Sequence, residues 1–337
     1  MTLDRIDEAL TRVDDWLAER GVDRIADLDD RVVRSSTNPL HAVTLVGLLV
    51  FGLVAPFLVS RSEINLLNAI MVFSVLAIAF NFLFGFMNLP AFGHAAFFGL
   101  GAYGVGITLE HFPDAMLLPL LTGVIASLLF ALLVATVSTR GHGIYFALLT
   151  FAFAQFLFII FQRVSEISGG VDGILIRYPI SLGRLEVYYI SVAVLLVVLV
   201  FGDRLLNSPF GRIMIAIRSN EERAKAVGYP VRRMKVVAFL LSAFWATVSG
   251  VLFALAQSFV SPEVLHFTVS VEAVIFSILG GVGALTGPIF GVAFVLILED
   301  AVREFAEIGS VTIGVIFILA VLYVPEGIVG KLKELSR

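Results

Sequence analysis

His94 is of a residue type suited to carrying a proton. It stands in the stretch Leu89-Pro-Ala-Phe-Gly-His-Ala-Ala-Phe-Phe-Gly-Leu-Gly-Ala-Tyr-Gly-Val-Gly-Ile107, among glycines at 93, 99, 101, 104 and 106. A lone histidine near a helix start, beside a glycine, is more often a hydrogen-bonded structural residue than a proton carrier. The run from Ile278 to Gly291 has the glycine density of a phosphate-binding loop. It lacks the Gly-Lys-Ser/Thr ending that brings an ammonium and a hydroxyl to a nucleotide, and no such pattern occurs elsewhere in the chain. Nucleotide hydrolysis is therefore not expected of this polypeptide. With no cysteine, thiol catalysis, disulfides and cysteine metal sites are excluded. No catalytic residue, metal or cofactor is expected. Carboxylates within the apolar segments are few: Glu272 near the outer end of one, and Glu299, Asp300 and Glu304 with Arg303 where another ends. A proton- or sodium-driven carrier would hold a carboxylate nearer the membrane midplane.

The remaining candidates act by shape rather than by reaction. Glycines allow close helix contact, and they also allow a helix to break where it lines a path. Gly93, His94, Phe97, Gly101 and Tyr103 in the first stretch, and Gly280, Gly281, Gly283 and Pro288 in the last, are candidates for such a path or break; tight packing stands open beside it. Tyr145, Thr150 and Gln155 are polar positions in an otherwise apolar run, able to bond to neighbouring helices or to face a route. Gly169, Gly170 and Asp172, in Ser168-Gly-Gly-Val-Asp-Gly173, form a turn that could also dock an outside partner.

The elements that position these residues follow from composition. Of 337 residues, 59% are hydrophobic and 15% charged, with a mean hydropathy of +0.99. A soluble domain carries roughly 25% charged residues. A soluble enzyme, a nucleic-acid binder and a disordered chain are thereby excluded. His41–Ser60 and Ile64–Phe86 reach the roughly 20 residues that cross a bilayer as a helix. Further segments are expected at Pro90–Leu109, Ala115–Val137, Gly143–Gln162, Glu186–Phe201 and Val236–Ser258. Three short or interrupted ones follow, near Thr268–Leu285, Thr286–Val302 and Ser310–Val324. The expected fold is an all-α polytopic membrane protein of about ten transmembrane helices. Residues 1–39 form a polar extension in which Leu3, Ile6, Leu10, Val13 and Leu17 make one apolar helical stripe. The permease body is 40–330 and the tail 331–337. No apolar run follows a short basic start, so the first span is expected to insert the protein itself.

Charge sets the expected orientation, because loops rich in Lys and Arg stay in the cytoplasm. Residues 203–235 carry eight basic side chains. Placing that loop inside puts both termini inside, with eighteen basic residues on the cytoplasmic side and five on the other. Two short helical patterns occupy the loop. Asn220 is expected to cap the second, with Glu221 and Glu222 in its first turn, and Gly228 followed by Pro230 to end it. Such a helix is a handle that a cytoplasmic partner could grip.

These residues together resemble the LivM-type permease subunits of bacterial ABC importers for branched-chain amino acids. The likeness rests on Gly93-His-Ala-Ala-Phe-Phe-Gly-Leu-Gly-Ala-Tyr103, Gly143-Ile-Tyr-Phe-Ala-Leu-Leu-Thr150 and Gly169-Gly-Val-Asp-Gly173. It continues through Ser208-Pro-Phe-Gly-Arg212, Ala216-Ile-Arg218, Asn220-Glu-Glu-Arg-Ala224 and Gly228-Tyr-Pro230. Leu279-Gly-Gly-Val-Gly283, Gly287-Pro288 and Pro325-Glu-Gly327 complete it. The resemblance implies ABC importer permease architecture in the inner membrane, a second related permease subunit, two cytoplasmic ATPase subunits that use the ATP, and a periplasmic solute-binding protein. It also implies a coupling helix of the pattern Glu-Ala-Ala, three residues, Gly. Glu222, Ala224 and Gly228 keep that spacing, Arg223 departs from the middle small residue, and Arg218 lies just before it. Branched-chain or other hydrophobic amino acids are the leading substrates, with urea or short amides next; a stand-alone secondary transporter or channel, or a purely structural subunit, are the alternatives.

Overall fold

The computed structural model describes residues 39–112, 114, 118–141, 143–178 and 183–302. The apolar stripe from Leu3 to Leu17, the segment Ser310–Val324, Arg303, Glu304 and the tail 331–337 lie outside the described residues.

Each of the nine apolar segments expected between His41 and Val302 is one helix. These are α1 (Pro39–Leu58), α2 (Arg61–Met87), α3 (His94–His111), α4 (Leu118–Ser138), α5 (Ile144–Arg163), α7 (Arg184–Asn207), α10 (Val231–Gln257), α11 (Phe267–Gly280) and α12 (Gly287–Val302). Short elements complete the set: α6 (Ser165–Ser168), α8 (Pro209–Ser219), α9 (Glu221–Ala226) and 3-10 turns at Gly170–Asp172 and Pro262–Leu265. Strand β1 (Ile174–Leu175) pairs antiparallel with β2 (Phe259–Val260), Ile174 opposite Val260. Among the described residues, α2, α4, α5, α7 and α10 are long and apolar enough to cross a membrane. The stretch expected as a 203–235 loop is mostly helix: α7 runs on to Asn207, and Arg232, Arg233 and Lys235 lie in the first turns of α10. Those basic residues are compatible with a helix start because Lys235 is paired with Glu221 and Arg232 donates to the Thr136 carbonyl.

α2, α3 and α10 form the centre, while α4 and α5 turn apolar side chains such as Leu129, Leu133, Phe156 and Ile159 outward. Outward apolar surface suits lipid tails, which are as apolar as leucine. Helix contacts must then come from small residues and interhelical hydrogen bonds. Gly123, Ser127, Ala131 and Ala135 line the buried face of α4 at intervals of one turn. A Cβ on Gly104 of α3 would lie 2.6 Å from the Gly123 nitrogen, so the two backbones touch. Serine hydroxyls tie the centre together: Ser242 and Ser249 of α10 donate to Ala79 and Val72, at 2.6 and 2.7 Å, and Ser277 of α11 donates to Ala77 at 3.0 Å. The α3 glycines expected as candidate breaks instead sit in one continuous helix. The interruption comes before α3. His94 meets Ser242, eleven residues into α10, so at 1.5 Å per residue α3 begins about 16 Å inside that helix's end.

Candidate functional site

The arm between α7 and α10 is built from local signals. Ser208 caps α8, accepting from the Gly211 N–H at 3.3 Å, and Pro209 opens the helix where its missing N–H costs nothing. α8 buries Met214, Ile215 and Ile217. Asn220 ends α8 and caps α9, its Oδ1 accepting from the Arg223 N–H at 2.9 Å. After α9 the chain turns at Gly228, whose φ of 95° favours glycine, and the Tyr229 N–H donates back to Ala224 at 3.1 Å.

Two side chains fasten this arm to the membrane helices. Lys235, only 3% exposed, donates to Glu221 at 2.7 Å, and Lys225 reaches Glu221 at 3.1 Å and Glu222 at 2.8 Å. Burial alone would push the Glu221 carboxyl up, but the bonds from Lys235 and Lys225 outweigh it and hold it below the usual carboxylate range. The second fastener is Arg218 at the end of α8, whose Nη1 donates to the Gly85 carbonyl in the last turn of α2. That carbonyl is one of the four a helix end leaves without a donor. Asn88 and Leu89 donate to Phe84 and Leu83, and Pro90 has no N–H to give.

The same guanidinium lies against the turn between α11 and α12. A Cβ on Gly283 would sit 2.7 Å from Arg218 Nη1 and 3.2 Å from the Gly85 oxygen. Asn81 clamps that turn from α2, accepting from the Gly283 N–H at 3.1 Å and donating to the Ala284 carbonyl at 2.9 Å. Arm, α2 end and α11–α12 turn thus meet at one point.

The residues singled out in the sequence divide by position. Glu222, Arg223 and Gly228 are exposed on the arm, while Ala224 is buried against the chain and Arg218 is half-buried. Inward packing makes Ala224 an anchor rather than part of the offered surface. His94 is buried, its Nδ1 3.0 Å from the Ala91 carbonyl and its Nε2 2.8 Å from the Ser242 hydroxyl. Both ring nitrogens engage groups that do not titrate, which is a structural histidine's arrangement. Thr150 accepts from the Phe92 N–H at 3.1 Å, and a Cβ on Gly93 would lie 2.7 Å from its carbonyl, joining α5 to the segment before α3. The Ala95 N–H at the start of α3 is taken by Ser270 of α11 at 2.8 Å. Phe97 packs edge-on to Phe239, Gly101 lies against the Thr247 backbone, and the Tyr103 ring stands 4.6 Å from Phe161. Tyr145 is 70% exposed on the outer surface of α5 and joins none of these. Gly281 and Gly283 lie in the α11–α12 turn between Gly280 at the end of α11 and Pro288 at the start of α12, and Gly280 and Gly287 bring the two backbones together. Gly169, Gly170 and Asp172 fold a tight turn at the end opposite the arm. Asn81 was not singled out, although an amide within the apolar run Ile64–Phe86 is itself a signal.

A family profile described as branched-chain amino acid transport system / permease component matches residues 63–324. The chain is 27% identical over 316 residues to the high-affinity branched-chain amino acid transport system permease protein LivM of Escherichia coli (strain K12), covering 84% of this chain and 74% of that protein. It is 30% identical over 213 residues to the autoinducer 2 import system permease protein LsrC of Enterobacter sp. (strain 638), covering 60% of each. With the L-arabinose transport system permease protein AraH of Escherichia coli (strain K12) it shares 28% over 135 residues, 37% of this chain and 40% of that one. No solved structure gives a significant match. With a match over most of its length and a predominantly helical, membrane-embedded body, the chain belongs to the permease-component family of branched-chain amino acid transport systems.

Proposed function

We propose that this chain is the membrane-spanning subunit of an ATP-driven importer for branched-chain or other hydrophobic amino acids. It forms half of a translocation path with a second related permease subunit in the inner membrane. Two ATP-binding subunits grip the exposed side of the arm around Glu222, Arg223 and Gly228, and a solute-binding protein delivers substrate at the opposite end, near Gly169–Asp172. Both termini and the arm are cytoplasmic in this reading, as the distribution of Lys and Arg supports. Closure of the ATPases moves the arm and switches the path between its outward- and inward-open states.

The observation that carries the reading is the arm itself. Its capped helices point charged residues outward while Lys235 and Arg218 fasten it to the membrane helices. A loop that merely obeyed the charge rule would need neither fastening. The test is co-reconstitution with the partner subunits in vesicles and measurement of leucine uptake with and without ATP, with arabinose and urea as competitors. ATP-dependent leucine uptake is expected. Substrate flux through the isolated chain without ATP would overturn the mechanism, and ATP-driven uptake of arabinose or urea but not leucine would overturn the substrate.

A further inference from the structure

At the end opposite the arm, a cavity of about 310 Å3 opens between the last turns of α5, the Gly170–Asp172 turn and the start of α11. Small-molecule sites start at about 300 Å3, so the space suits a ligand of a few heavy atoms. Its lining includes Phe158, Gln162, Val171, Glu263, His266 and Thr268. Among the described residues, Glu263 brings the one carboxylate of this wall. It lies in the Pro262–Leu265 turn, and His266 follows three residues later. An acidic group and an imidazole thus line the same cavity.

The His266 Nδ1 caps α11, accepting from the Thr268 N–H at 3.5 Å, and lies 3.0 Å from the Thr268 hydroxyl. With Nδ1 accepting, Nε2 is the ring nitrogen that can donate. His266 and Gln162 thus offer N–H donors to an anion, and Glu263 offers an acceptor to a cation. The Phe158 ring, 5.1 Å from the His266 ring, and the exposed Val171 supply apolar surface beside them.

We infer that this cavity receives a zwitterionic aliphatic amino acid, with Glu263 taking the α-ammonium, His266 and Gln162 the carboxylate, and Phe158 and Val171 the side chain. The inference rests on the importer reading above and sharpens it. Neither urea nor a sugar carries an ammonium group, so neither would form an ion pair with Glu263.

The test uses the assembled permease–ATPase complex without solute-binding protein, so that recognition by the delivering protein cannot intrude. Thermal stability is measured against leucine, 4-methylpentanoate (which lacks the ammonium), 3-methylbutylamine (which lacks the carboxylate), urea and arabinose. Leucine is expected to stabilise the complex, and the other four to do so far less. Glu263→Gln should weaken the leucine effect about tenfold in midpoint concentration. Phe158→Ala should weaken leucine more than alanine. A leucine response unchanged in Glu263→Gln, or a wild-type complex that responds to none of the compounds or to arabinose or urea instead, overturns the inference. If ATP-driven leucine uptake by the full system persists in that case, the importer reading survives; if uptake is absent, that reading fails on its own test.

Discussion

Replacing Arg218 with alanine should separate ATP hydrolysis from transport. Its guanidinium is the donor to Gly85 at the end of α2, and its flank rests on Gly283, which Asn81 holds. A hydrogen bond to a charged group contributes about 1.5–3 kcal/mol, and a cation at a helix C-terminus adds about 0.3–1 kcal/mol. Arg218 is half-buried, so solvent screening places the sum near about 2–3 kcal/mol. Losing it shifts the balance between fastened and unfastened arm by about 30- to 150-fold. The assay is the number of ATP molecules hydrolysed per substrate imported by the reconstituted transporter. In Arg218→Ala, uptake should fall at least about tenfold while ATP hydrolysis stays within a factor of two or so. Arg218→Lys should recover part of the loss, because an ammonium can reach one carbonyl but lacks the planar flank. Wild-type uptake per ATP in the alanine variant, at wild-type complex yield, would refute the reasoning. A proportional loss of both activities would mean Arg218 merely holds the fold.

Glu221→Ala leaves Lys235 buried without its carboxylate, and α9 should detach, seen as faster hydrogen exchange of its amides by about 100-fold or more. In the wild type, the depressed Glu221 value means this docking is complete above the ordinary carboxylate value of 4.5 and is lost as pH falls through the lower value in the folded protein. The protection factor of the α9 amides, exchange corrected for its base-catalysed intrinsic rate, should therefore fall on acidification below that range and be flat from pH 6 to 8. Gly104→Val drives side-chain atoms into the Gly123 backbone and should lower stability in detergent by about 3 kcal/mol, read as a fall in Tm. Gly228→Ala meets open space and is strained only by its φ, costing about 1–2 kcal/mol, whereas Gly228→Glu should abolish ATP-driven uptake by placing a charge on the gripped surface.

The sequence made local structure legible. Ser208-Pro209, Asn220-Glu-Glu and Gly228-Tyr-Pro230 mark helix starts and stops within a few residues, and the helices begin and end there. Long apolar runs gave nine helices their places for the same reason. Partners far apart in the chain were not legible. Nothing near Arg218 points to Gly85, and nothing near Asn81 points to Ala284, because those contacts depend on how α2, α8 and the α11–α12 turn pack. The periodicity of a six-residue helix was also too short to say that Ala224 faces inward while Arg223 faces out. Glycines in α3 read equally as breaks or as contacts; only Gly104 against Gly123 and Gly101 against Thr247 decide for contacts.

The late start of α3 bears on how the polypeptide is made. The Ala95 N–H and the His94 Nε2 find their partners in Ser270 and Ser242, which belong to helices synthesised well after it. At about 5–20 residues per second, the ribosome needs on the order of ten seconds to deliver α10 once α3 has emerged. During that wait the α3 segment has polar groups without their final partners, and hydrocarbon cannot satisfy them. It must lodge near the insertion channel or the lipid headgroups and slide into place late. Truncations ending before Ser242 should therefore leave the Asn88–Gly93 connection open to proteases that the finished protein excludes.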